Sequence, residues 1–164
     1  MLLKRGLKLQ SMKLEIPKIK IESLNNSESI IYQDLDNSLY GSELANKICH
    51  KLKQNPGEYD GLHFSHRDYC GLGIFYINQV YLLGVVNDGY GPNPIVASFD
   101  TDSEFENWLA QESDQSMSLY GSHFNNQTIN RKRLDWYLED NYSSSWNSYC
   151  LYLNSREDKG QFEG

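Results

Sequence analysis

Two strand-forming runs, Gly73–Ile77 and Val80–Val86, are separated by only Asn78 and Gln79. A two-residue link joins antiparallel neighbours, so this stretch predicts a β-hairpin near the middle of the chain. Asn-Gln is a weaker turn signal than Asn-Gly, and the prediction leans on the β-branched and aromatic flanks. Gly61–Ser65, Pro94–Phe99 and Tyr149–Leu153 read as further strands. The segment from Leu7 to Ile21 alternates apolar and polar residues, with lysines between them and a change of parity near Ser11. That pattern suggests a half-buried strand with a bulge, and Pro17 favours a sheet edge. Ser23–Ser38, interrupted by Ile30-Ile31-Tyr32, and Asn87–Asn93 read as loops.

Three helices are predicted around these strands. In the first, Glu43–Gln54, Leu44, Ile48 and Leu52 form one stripe, Ser42 offers a cap, and Asn55-Pro56-Gly57 stops the helix. The second runs from Glu104 to about Glu112, with Phe105, Trp108 and Leu109 inward. Thr101–Glu104 and Ser103–Glu106 both match the capping-box pattern before it. The third spans about Asn130 to Glu139, capped by Thr128, with Leu134, Tyr137 and Leu138 inward. The polar residues 155–164 read as a disordered tail. Together the elements predict an α+β fold: an antiparallel sheet of about five to six strands with two to three helices packed on it. A chain of 164 residues fits one domain, 1–164, and 13% aromatic content supports a folded core.

No apolar run is long enough to cross a membrane. Lys4, Arg5 and Lys8 break up the N-terminal apolar residues, so no secretory leader is expected and the expected compartment is the cytoplasm. Cys49, Cys70 and Cys150 are odd in number and widely spaced, which points to free thiols. Residues 1–20 hold six bases and one acid, a net of +5 in a chain of net charge −7, so the remainder sums to −12. Such a balance argues against nucleic acid as a partner and for a basic protein.

Few motifs carry chemistry. His63, His66 and Cys70 are spaced loosely like metal ligands, but a structural zinc site wants four ligands, and no metal or other cofactor is expected. The same three residues could form a thiol–imidazole pair in a small cytosolic enzyme. The plainer reading is loop histidines beside a core cysteine. Gly71-Leu72-Gly73 is too short to cradle phosphate. More unusual is the run Asp100, Asp102, Glu104, Glu106, Glu112 and Asp114: six acids and no base between Phe99 and Gln115. A solvated acidic face is one explanation, and a patch for a basic partner is the other. Nearby, Asn87-Asp88-Gly89-Tyr90-Gly91 puts an acid and an aromatic on one loop. Several of the 12 tyrosines, including Tyr59, Tyr69, Tyr120 and Tyr142, also lie in polar or glycine-bearing stretches, and tyrosine is favoured at interfaces.

The pattern Phe99-Asp100, Glu104-Phe105, Trp108-Leu109, Ser113-Asp114, Asn126-Gln127-Thr128-Ile129-Asn130-Arg131 and Leu134 resembles the immunity proteins of bacterial contact-dependent growth inhibition and related polymorphic toxin systems. The likeness covers roughly residues 60–138. It implies a non-catalytic cytoplasmic inhibitor of one cognate toxin domain, the C-terminal part of a large secreted protein. A nuclease toxin must hold phosphates and tends to be basic, which suits an acidic inhibitor. On this reading Asp88, Tyr90, Asp100, Asp102, Glu104, Glu106, Glu112 and Asp114 form the contact surface. The alternatives are the enzyme using His63, His66 and Cys70, and an adaptor for a basic protein.

Overall fold

The computed structural model describes residues 35–120 and 128–163, with side chains to 156. The order of elements is α1 (Ser42–Gln54), β1 (Cys70–Ile77), β2 (Val80–Asn87), β3 (Ile95–Phe99), α2 (Asp102–Ala110), α3 (Asp114–Ser118), α4 (Arg131–Tyr137) and α5 (Trp146–Glu163). The class is α+β, as expected. Among the described residues, however, the sheet has three strands in the order β1-β2-β3, all antiparallel, and five helices accompany it.

The hairpin forms where the sequence places it. Ile77 pairs with Val80, and Asn78 and Gln79 take φ of 52° and 64°. Positive φ at both central residues is the turn whose twist matches that of the strands, and asparagine tolerates it better than most residues. Successive side chains then supply opposite faces. Leu72, Ile74, Tyr81 and Leu83 enter one core cluster with Ile48, Leu52, Phe105, Trp108 and Leu109 from α1 and α2. Phe75, Leu82 and Val86 enter the other with Phe64, Trp136 and Tyr149. A sheet buried on both faces needs helices on both sides, which accounts for the larger number of helices.

The expectation of five to six strands is therefore corrected, for reasons that can be named. Gly61–Ser65 makes a single bridge, Leu62 with Ile74, through two backbone bonds of 2.8 and 2.9 Å. Beyond it, Phe64 turns into the aromatic cluster and the Ser65 amide donates to the Ser144 carbonyl. Tyr149–Leu153 lies within α5. Trp146, Tyr149 and Leu153 all pack on the second cluster, and their spacings of three and four are helical. A short apolar run such as Tyr149–Leu153 fits either period when read alone. The helix continues over 155–163, where composition suggests a tail. The strand expected over residues 7–21 lies outside the described residues.

Caps move by a residue or two. Gly41, at φ 88°, precedes α1 in place of a Ser42 cap, and no side chain caps the helix. Thr101 caps α2, its hydroxyl accepting from the Glu104 amide at 3.1 Å. Asn130 caps α4 by accepting from the Arg133 amide, while Thr128 donates to the Met117 carbonyl. The unexpected α3 begins with a capping box in which Ser113 and Ser116 satisfy each other's backbone amides.

Candidate functional site

The acids of the run are split between two roles. Asp100, Asp102, Glu104 and Glu106 gather where β3 ends and α2 begins. The Asp102 carboxylate accepts from the Tyr81 hydroxyl at 2.6 Å and pairs with Lys53 at 3.0 Å. Those two partners hold its pKa below the usual carboxylate value, the tyrosine bond first and Lys53 second. Burial, and then the Asp102 bond, push the Tyr81 phenol upward, so this pair stays carboxylate and phenol at neutral pH. Glu104 is exposed and accepts from the Asp100 amide at 3.3 Å. Glu106 is half-buried and accepts from the Asn46 amide side chain at 2.5 Å. Asp100 is half-buried as well.

The last two acids face inward. Glu112 is 5% exposed and bonds the Tyr120 hydroxyl, which also accepts from the Trp108 indole at 3.2 Å. Asp114 accepts from the Tyr40 hydroxyl at 2.8 Å and from the Arg131 amide at 2.7 Å. It thereby ties Tyr40, two residues before α1, to the first turn of α4. Glu112 is thus buried, whereas Asp114 is half-buried, with one carboxylate oxygen taking both bonds.

Asp88 and Tyr90 occupy a tight, ordered link. Asn87 and Tyr90 exchange backbone bonds of 2.8 and 3.0 Å around Asp88, at φ 56°, and Gly89, at φ 79°. The turn fixes Tyr90 with 71% of its surface exposed. Tyr90 borders a groove of about 480 Å³ lined also by Glu58, Ile77, Leu82, Pro92 and Ile95. Ile95 is half exposed, and Tyr59, next to Glu58, is 66% exposed. Strand β3 runs from this groove to the acids at α2, a span of roughly 13 Å at about 3.3 Å per residue. The structure thus groups an aromatic patch and an acidic patch at the two ends of one edge strand. Tyr59 stands out in the sequence as a tyrosine in a polar stretch, but Ile95 carries no sequence signal, because exposure of a single apolar residue depends on which neighbours fold over it.

His63, His66 and Cys70 take unrelated positions. His63 is 1% exposed and stacks on Phe75 at 5.2 Å. His66 is exposed, its Nδ1 accepting from the Asp68 amide. Cys70 is exposed, and its thiol donates to the Asn87 side chain. Among the described residues no three His, Cys, Asp or Glu side chains gather as a metal site, and no helix is long and apolar enough to cross a membrane. No protein-family model, curated protein or solved structure matches the chain.

Proposed function

We propose that this protein is an immunity protein that neutralises one basic toxin domain by stoichiometric binding in the cytoplasm. The toxin is expected to be the C-terminal part of a large secreted protein and to act as a nuclease. Tyr90 carries the reading: a large amphipathic ring held out by a hydrogen-bonded two-residue turn, beside a groove and roughly 13 Å along β3 from an acidic helix start. Interfaces draw most of their binding energy from such anchors, while surrounding charge sets the encounter rate. Asp88, Tyr90, Asp100, Asp102, Glu104 and Glu106 form the contact surface. Glu112 and Asp114 support it from inside. The enzyme reading has no comparable support, since His63 is shut off from any substrate.

The experiment uses, as candidate toxin, the C-terminal domain of any large secreted protein found encoded beside this chain. Glu104→Lys with Glu106→Lys should lower the association rate about tenfold at low salt and flatten its salt dependence. Tyr90→Ala should leave association unchanged and raise dissociation at least ~30-fold, as expected for an anchor worth about 2 kcal/mol. Unchanged rates in both variants, with the fold intact, would overturn the proposal, as would failure of the native chain to protect cells from that domain.

A further inference from the structure

The groove beside Tyr90 joins an apolar wall to one carboxylate. Ile77, Leu82, Pro92 and Ile95 supply the wall, and among the described residues that line it Glu58 is the one with a charge. Glu58 is exposed and accepts a hydrogen bond from the Tyr59 hydroxyl. That bond, more than any other cause, pushes the Tyr59 phenol upward, and Tyr90 is near enough to add to the effect. Both tyrosine rings stand out into solvent. The wall is held in place from below. The Asn93 amide donates to the Val85 carbonyl at 2.8 Å, and the Val85 amide donates to the Pro94 carbonyl at 3.0 Å. Pro92 lies directly on Gly84, where a Cβ would collide with the proline ring. The groove is therefore preformed, as small binding sites usually are.

An apolar wall, two exposed aromatic faces and a single carboxylate ask for a side chain that is long, apolar along its stem and cationic at its tip. Arginine meets each demand. Its methylenes cover apolar surface, its flat guanidinium stacks on aromatic rings, and its fork matches a carboxylate with two parallel bonds. Lysine ends in a compact, strongly hydrated charge that gives up water less readily and cannot stack. An apolar side chain gains nothing from Glu58, and an acid is repelled by it. We propose that this groove is a binding site for one arginine side chain of a protein partner, its stem on Pro92 and Ile95 and its guanidinium against Glu58 and the rings of Tyr59 and Tyr90. That the toxin domain brings the arginine rests on the function proposed above; the site itself does not. Tyr90 then serves as a stacking surface for a basic partner, which joins the aromatic patch and the acids in one preference for positive charge.

The full chain is titrated with N-acetyl-arginine amide at fixed ionic strength and followed by amide chemical shifts. Saturable shifts are expected at Tyr59, Tyr90 and Ile95. The lysine and norleucine counterparts of the probe should bind about 3-fold and about 10-fold more weakly. Glu58→Gln keeps an acceptor for Tyr59 but loses the charge, and should weaken the arginine probe about 10-fold. Tyr59→Leu and Tyr90→Leu should each weaken it about 3-fold. All three positions are exposed, so the fold is expected to persist in each variant. Norleucine binding as tightly as arginine, unchanged arginine affinity in Glu58→Gln, or no saturable shifts at these residues would overturn the site. Lysine binding as tightly as arginine would overturn the choice of side chain. No toxin enters these titrations, so their failure and that of the toxin reading are told apart: a chain that protects no cell can still bind the probe, and a chain that ignores the probe can still protect.

Discussion

Replacing Asp114 with alanine tests whether this acid belongs to the architecture or to a contact surface. One carboxylate oxygen takes the Tyr40 hydroxyl at 2.8 Å and the Arg131 amide at 2.7 Å. Hydrogen bonds to a charged group contribute about 1.5–3 kcal/mol each. Asp114 is half-buried, so water partly replaces it at the Arg131 amide, whereas Tyr40, 5% exposed, keeps a stranded hydroxyl. A loss of roughly 3 kcal/mol follows from the lower end of that range. For a chain of this length that is a drop in Tm of roughly 9 °C, at ~3 °C per kcal/mol. Asp114→Asn, which keeps a neutral acceptor, should lose about a third as much. Urea unfolding of Asp114→Ala, Tyr40→Phe and the double variant should give a coupling of about 1 kcal/mol or more, because the two groups share one bond. Stability of Asp114→Ala within ~0.5 kcal/mol of the parent, or strict additivity in the cycle, would refute the structural assignment.

Leu109→Ala removes a fully buried side chain from the cluster between sheet and helices and should cost about 2–5 kcal/mol by denaturant unfolding, with the slope of the transition unchanged. His63 gives a pH dependence. Burial, the main cause, lowers its basicity in the folded chain, while the unfolded chain takes up the proton near pH 6.5. The unfolded state therefore binds more protons as the pH falls, and stability should decline below about pH 6.5. His63→Phe, which preserves a ring against Phe75, should remove one proton from that dependence. An unaltered pH profile in that variant would refute the idea that folding opposes protonation of His63.

Local chemistry was enough to set the hairpin, the stripe of α1 and the cap of α2. In each, the deciding contacts lie within a few residues: Asn78 and Gln79 turn the chain on themselves, and Thr101 bonds the amide three positions on. The acids at 100–114 were legible as a group, but their division was not. Asp102 and Glu104 remain near the surface, whereas Glu112 and Asp114 are drawn inward by Tyr120 and Tyr40, and Tyr40 lies 74 residues from Asp114. The state of 149–153 was equally a tertiary matter. An apolar run of five residues satisfies a strand or a helix, and the aromatic cluster built by Phe64 and Trp136 selects the helix, because that form lets Tyr149 reach both rings. Backbone preferences act over one turn and are read along the chain; the pairing of charges and the choice between periods depend on partners that only folding brings near.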